Sequence, residues 1–295
     1  MGSFANLFKD PPPTHVFELS ERGLAFVEVA EPGQAGFTPF HAGVVQASPV
    51  HDNIQQPAVV EERIRAAVRA NGKQRRRAAL ILPDYCARVA VLDFDSFPES
   101  HEERLALLRF RMKKGVPFDA ETAVVSYAIQ PRKKDADDTK VEVLAAIVAS
   151  EIVTRYEAPF RGLGFQPGMV TTSTLAALNL VDADESSMFV KLSGRVLSLI
   201  VLQGSLIKLA RCIELDTDLA EEIDSILQPT VAYIEDELKA TLRRVWLCGF
   251  DDQRLALAHR WQTDWRAPVE PLRSKFGTPN ANNAGLLGYL ESVAS

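Results

Sequence analysis

Apolar and polar positions alternate in the same order at two places along this chain. From Val16 to Val29 the sequence reads VFELSERGLAFVEV, and from Phe189 to Leu202 it reads FVKLSGRVLSLIVL. Placing Glu18 over Lys191 also superimposes Leu19 on Leu192, Ser20 on Ser193, Arg22 on Arg195 and Leu24 on Leu197. A period of two running through a tight turn predicts a β-hairpin in each segment. A hairpin at the head of each half predicts two similar α/β lobes.

The intervening pattern fills in those lobes. A loop-rich stretch, 32–57, precedes a helix at 58–70, and 78–83 reads as a short buried strand closed by its proline. Residues 88–94 alternate as another strand. Ser100-His101-Glu102-Glu103 has the spacing of a capping box, with Ser100 placed to cap the helix at 102–114. Leu105, Leu108 and Met112 share one stripe of that helix, and Gly115 stops it. A strand pair at 123–129 and 141–149 flanks a solvated loop, 131–138. Helices at 151–161 and 173–180 follow. The second half opens with strands at 189–193, 196–202 and 206–213. Apolar residues then recur at helical spacing across 218–241, where Pro229 predicts a kink. A buried strand at 245–249 and a closing helix at 283–293 complete the chain.

One region is distinctive in detail. Between Leu82 and Tyr127 the chain contains LPDYCARVAVLDFDSFP, then EERLALLRFRMKKGVPFD, then VVSY. This strand, amphipathic helix and Val-Pro-Phe exit, in this order of elements, resemble the type IV pilus assembly PilM family, relatives of FtsA among the actin-like ATPases. The resemblance implies an actin-like, ribonuclease H-like fold: duplicated lobes of mixed sheets flanked by helices. The passage from Cys212 to the helix at Asp218 is short, which implies a reduced second lobe. The expected organisation is a tail at 1–13, a first lobe at 14–182 with an inserted subdomain at about 84–165, and a second lobe at 183–295.

The same resemblance implies a cytoplasmic scaffold at the inner membrane. Such a platform receives the N-terminal peptide of a PilN-like bitopic membrane protein and links it to the pilus motor proteins. Arg109, Phe110, Lys113 and Phe118, on the cationic helix and its exit, are the candidate partner contacts. A GspL-like component of a type II secretion system is a further reading.

Actin-like proteins hold nucleotide phosphates between two hairpins, usually with an Asp on each first strand and a Gly-rich turn. Here those places hold Glu18 and Lys191, with Ser20-Glu21-Arg22 and Ser193-Gly194-Arg195 at the turns. Gly249 is followed by Phe250 where a second glycine is usual. Glu18 can substitute for the first Asp toward hydrated Mg²⁺. Lys191 cannot hold a metal; it reads either as a point charge toward phosphate or as an alternating residue on the solvent side of its strand. Glu21 repels phosphate where backbone amides should face it. Glu18, Ser20, Lys191, Ser193, Gly194 and Gly249 therefore form a degenerate nucleotide site. The expectation is a pseudo-ATPase without cofactor, with an ATP–Mg switch or weak ATPase as the alternative.

Composition narrows the field. A net charge of −6 lacks the concentrated basic surface that nucleic acid requires. The three cysteines read as free thiols, no apolar run approaches the ~18–20 residues of a membrane span, and no signal-peptide pattern is present, so the expected compartment is the cytoplasm. The five histidines have no paired spacing and the cysteines form no C-x-x-C, so no metal site is indicated. Neither a P-loop nor a G-x-S-x-G elbow occurs. Asp93 and Asp95 read as turn initiators. Phe4, Leu7 and Phe8 ahead of three prolines read as a frayed tail or a docking tag, and Arg75-Arg76-Arg77 as a solvated helix end.

Overall fold

The computed structural model describes residues 12–68, 76–131, 140–182, 186–216, 219–250 and 252–293. Residues 1–11 of the expected tail, Arg75, and 132–138 of the expected loop lie outside the described residues. In chain order the first half forms β1 (His15–Ser20), β2 (Gly23–Glu28), β3 (Gly36–Pro39), α1 (Pro57–Ala67) and β4 (Arg76–Leu82). It continues with β5 (Arg88–Phe94), α2 (His101–Met112), β6 (Val124–Ile129), β7 (Val141–Val148), α3 (Ser150–Gly162), β8 (Phe165–Thr172) and α4 (Ser173–Ala177). The second half forms β9 (Ser186–Ser193), β10 (Val196–Gln203), β11 (Leu206–Glu214), α5 (Leu219–Asp236) and β12 (Arg244–Cys248). It ends with α6 (Asp252–Trp265), β13 (Val269–Pro271) and α7 (Ala284–Val293).

The repeated segment is a repeated register. Glu18 pairs with Ala25, Leu19 with Leu24 and Ser20 with Gly23; Lys191 pairs with Ser198, Leu192 with Leu197 and Ser193 with Val196. Each hairpin then enters a five-stranded sheet of the same order, β3-β2-β1-β4-β8 in one half and β11-β10-β9-β12-β13 in the other. In both sheets the first three strands are antiparallel and the last two join in parallel. β1 and β9 are thus the central strands, and their ends carry Glu18 and Lys191.

Each sheet is covered on both faces. The first buries Phe17 and Leu80 against Ile64 of α1 and Tyr156 and Phe160 of α3. Its other face meets Ala176 of α4 and Leu286 and Leu290 of α7. The second sheet buries Val190 and Leu247 against Ile223 and Leu227 of α5 and Trp261 of α6. A third sheet, β5-β7-β6, is antiparallel and carries α2 on one face through Leu108 and Met112. Its Val89, Val91 and Leu144 pack instead against Ile200, Ile207 and Ala210 of the second lobe. β11 ends at Glu214 and α5 begins at Leu219, so the passage between them is short.

Several elements differ from the sequence expectation. β3, β8, α6 and β13 complete the sheets but do not stand out in the pattern. β8 contains Pro167 and Gly168, and its register with β4 skips Gly168 between Ala78 and Ala79. A bulge flips the face of every later side chain, and proline is tolerated because β8 is an edge strand. Ser100 precedes α2, but its side chain makes no capping bond; its carbonyl accepts from the Arg104 amide at 3.0 Å. α5 runs through Pro229 as a single helix.

Candidate functional site

The carboxyl ends of β1 and β9 approach each other across the cleft between the lobes, beside the N-termini of α4 and α7. Glu18 is buried at 1% exposure. Its Oε2 accepts the backbone N–H of Leu286, in the first turn of α7, at 2.7 Å, and its Oε1 is bonded to the Ser173 hydroxyl. Asp84 opens the short 3-10 turn Asp84–Cys86 after β4. Its Oδ1 accepts the Thr174 N–H at 2.7 Å, and its Oδ2 accepts the Thr174 hydroxyl at 2.7 Å. Two carboxyls of the first lobe thus satisfy N–H groups in the first turns of the two helices that join the lobes.

Lys191 is not on the solvent side of its strand. It is 2% exposed, and its ammonium donates to Asp84 Oδ2 at 2.9 Å, from the second lobe to the first. β9 is a central strand covered on both faces, so alternation there does not separate inside from outside. Burial opposes charge on Asp84, but the Lys191 ammonium and the bonds from Thr174 outweigh it and hold the carboxyl below its ordinary value. Burial likewise opposes charge on Lys191, and Asp84 and then Glu18 reverse that and hold the amine above its ordinary value. For Glu18 burial wins over Lys191, Ser173 and Leu286, and its proton is held more tightly than usual. The result is a charged Lys191–Asp84 pair with a second carboxyl beside it.

The turns that would face phosphate are occupied from within. The Ser20 hydroxyl accepts the Arg22 N–H at 3.3 Å and the Gly23 N–H at 3.2 Å. Glu21 accepts the Ala47 N–H at 2.9 Å. Ser193 is half-buried at the end of β9, and Gly194 takes a positive φ of 61° in the turn. Arg195 donates through Nε to the Leu215 carbonyl at 2.7 Å, which ties the second hairpin to the segment after β11. Gly249 has φ 79°, and a Cβ there would lie 2.0 Å from the Leu192 carbonyl oxygen. Its need for glycine is met by contact with β9, the strand that carries Lys191. Phe250 turns into the second core, edge-on to Trp261 at 5.9 Å.

The cavity bounded by Glu18, Ser20, Tyr85, Ser173, Lys191 and Ser193 is about 20 Å³, room for about one water molecule. The residues present do not fit a hydrated Mg²⁺ and triphosphate. Lys191 brings a cation, already bonded to Asp84, to the end of β9, and the Arg22 and Gly23 amides at the first turn are bonded to Ser20. Among the described residues no group of three or more His, Cys, Asp or Glu is placed to hold a metal ion. Burial pushes the thiols of Cys212 and Cys248 up to about 12, and that of Cys86 higher still.

The predicted partner residues divide into two pairs. Phe110 is 74% exposed on α2, and Lys113 is exposed just beyond it. Arg109 instead donates to the Ala123 carbonyl at 3.3 Å, and Phe118 packs against the core of the third sheet. Asp84 is the site residue that sequence reasoning missed. It lies in the distinctive LPDYC segment, but nothing in the local pattern marks an aspartate after a proline as anything other than a turn former.

No family model matches this sequence, and no curated protein does either. Solved structures do. A chain of a PilM–PilN type IV pilus biogenesis complex aligns with a TM-score of 0.66 at 17% identity, covering 89% of this chain and 88% of that one. A Bacteroides thetaiotaomicron protein with an actin-like ATPase fold aligns with a TM-score of 0.53 at 12% identity, covering 94% of each. The cytoplasmic domain of EpsL, an inner-membrane component of the Vibrio cholerae type II secretion system, aligns at 0.50 and 10% identity, covering 95% of this chain and 94% of that one. The duplicated sheets and these likenesses show an actin-like ATPase fold.

Proposed function

We propose that this chain is a nucleotide-independent, cytoplasmic scaffold of a type IV pilus or related secretion assembly. In this reading it sits against the inner membrane through a PilN-like bitopic protein, whose N-terminal peptide it binds, and connects that protein to the motor. The observation that carries the proposal is the cleft: an actin-like frame in which Lys191 and Asp84 fill the space between the hairpins, leaving room for about one water molecule. The likeness to a chain of a pilus biogenesis complex supports the choice of machinery. No described helix is long and apolar enough to cross a membrane, which is compatible with attachment through a partner. Exposed Phe110, with Lys113 beside it, is the surface assigned to the peptide: an aromatic anchor at the rim of a cationic helix.

Two titrations test this. Mg-ATP added in a calorimeter is expected to give no binding heat, and micromolar binding would overturn the nucleotide-independent reading. The N-terminal cytoplasmic peptide of a single-span membrane protein encoded beside this chain is expected to bind. Phe110→Ala should weaken that binding by about 1 kcal/mol or more while leaving the melting temperature unchanged. Failure of any such peptide to bind would sink the scaffold reading.

A further inference from the structure

Two seams cross from the first lobe to the second. One is the cleft, where Lys191 of β9 reaches Asp84 beyond β4 at 2.9 Å, while Glu18 and Asp84 hold the first turns of α7 and α4. The other lies along the inserted sheet, which belongs by chain connection to the first lobe. The side-chain amide of Gln130, just past β6, donates to the Ile207 carbonyl at 2.8 Å and accepts the Ile207 N–H at 2.8 Å. It thereby satisfies the edge of β11 as another strand residue would. Lys208 pairs with Glu142 beside it, and Leu144 of β7 is packed in the same cluster as Ile207 and Ala210.

We infer that these seams form a permanent latch: Lys191 serves as a built-in bridge in place of a removable ligand, and the protein works with its lobes fixed closed. The two seams contribute differently. A buried ion pair adds little net stability, because opening would return both charges to water. Its effect is to fill the cleft and set the register of the lobes. The resistance to opening comes from the inserted sheet, whose apolar contacts and paired amide would all be exposed together. A hinge about the crossing of α4 and α7 cannot open the cleft without breaking that second seam. This inference concerns the cleft and stands apart from the identity of any partner.

Hydrogen–deuterium exchange read by mass spectrometry tests the latch. In the natural protein, amides at 173–178 and 284–290 are expected to exchange within about tenfold of those in β4 and β12. Two variants disturb one seam each: Lys191→Met, which strands the Asp84 charge unless the cleft opens to water, and Gln130→Ala with Leu144→Ala. Either should speed exchange at 173–178 and 284–290 by about tenfold or more, with β4 and β12 unchanged. Acceleration in the second variant alone would overturn the bridging role of Lys191, and acceleration in neither would overturn the latch. Should a variant fail to fold, the natural protein decides: junction amides much faster than the strands would mean that the lobes open despite both seams.

Discussion

At the scale of single residues, the cleft turns on three charged side chains whose roles are set by one another. Lys191→Met alone leaves Asp84 ionised and buried without its partner, and is expected to cost about 3–5 kcal/mol. Adding Asp84→Asn removes the stranded charge, and urea denaturation should show most of that loss recovered; an equal or larger loss in the double variant would contradict this electrostatic account. Glu18 carries the opposite sign. Its proton is held more tightly in the folded chain, so the natural protein loses stability as pH rises from the ordinary carboxylate range through the raised value. Glu18→Gln keeps an acceptor for the Leu286 N–H and has no such dependence. Its stability relative to the natural protein should increase between pH 4.5 and neutrality, read as a rising difference in denaturation midpoint. Asp84 behaves conversely: its stabilisation is present at neutral pH and is lost as pH falls below its ordinary value of 3.8 through the lowered one. The equivalent placement of Glu18 and Lys191 on two hairpins is legible in the repeated segment. Asp84, the partner of Lys191, is not, because it lies 107 positions from Lys191 and meets it only across the cleft.

At the scale of elements, the lobes are joined where α7 crosses α4, and glycine sets how closely they approach. A Cβ on Gly288 would lie 2.2 Å from the Ala176 carbonyl oxygen, and one on Gly285 would lie 2.8 Å from Ile81 Cγ2. In an exposed helix, Gly→Ala stabilises by up to about 1 kcal/mol. Here Gly288→Ala should instead destabilise by about 1–3 kcal/mol through overpacking, read from the shift in chemical denaturation midpoint. Gly33→Ala, with nothing within 4 Å of the added Cβ, serves as the near-neutral control. The hairpins, the central strands and most of the helices are legible along the chain because the strands are apolar runs bounded by turn residues and the helices present a regular apolar stripe. β8 and β13 are not. β8 is an edge strand interrupted by Pro167 and a bulge at Gly168, and β13 is three residues long and ends in proline. Both owe their strand conformation to the parallel neighbour they pair with.

At the scale of the whole molecule, the inserted sheet makes one body of two lobes. All three tryptophans, Trp246, Trp261 and Trp265, lie in the second lobe, so their fluorescence reports on that lobe and, through Trp246, on its seam with the inserted sheet. With the lobes latched, the fluorescence and far-ultraviolet circular dichroism transitions in urea should coincide, and two separated transitions would contradict the single body. The sequence by itself determined the duplication, the two hairpins, the strand pair of the inserted subdomain and the presence of Glu18 and Lys191 where a phosphate site would be. These follow from local periodicity and from a repeat that can be read along the chain. Only the tertiary structure decided what those residues do. Whether Lys191 faces solvent, phosphate or Asp84 depends on how far apart the lobes stand. That distance is held where Gln130 and Leu144 of the inserted sheet meet the second lobe, while Gly285 and Gly288 let α7 seat closely on the first, contacts between residues remote in sequence that no local pattern encodes.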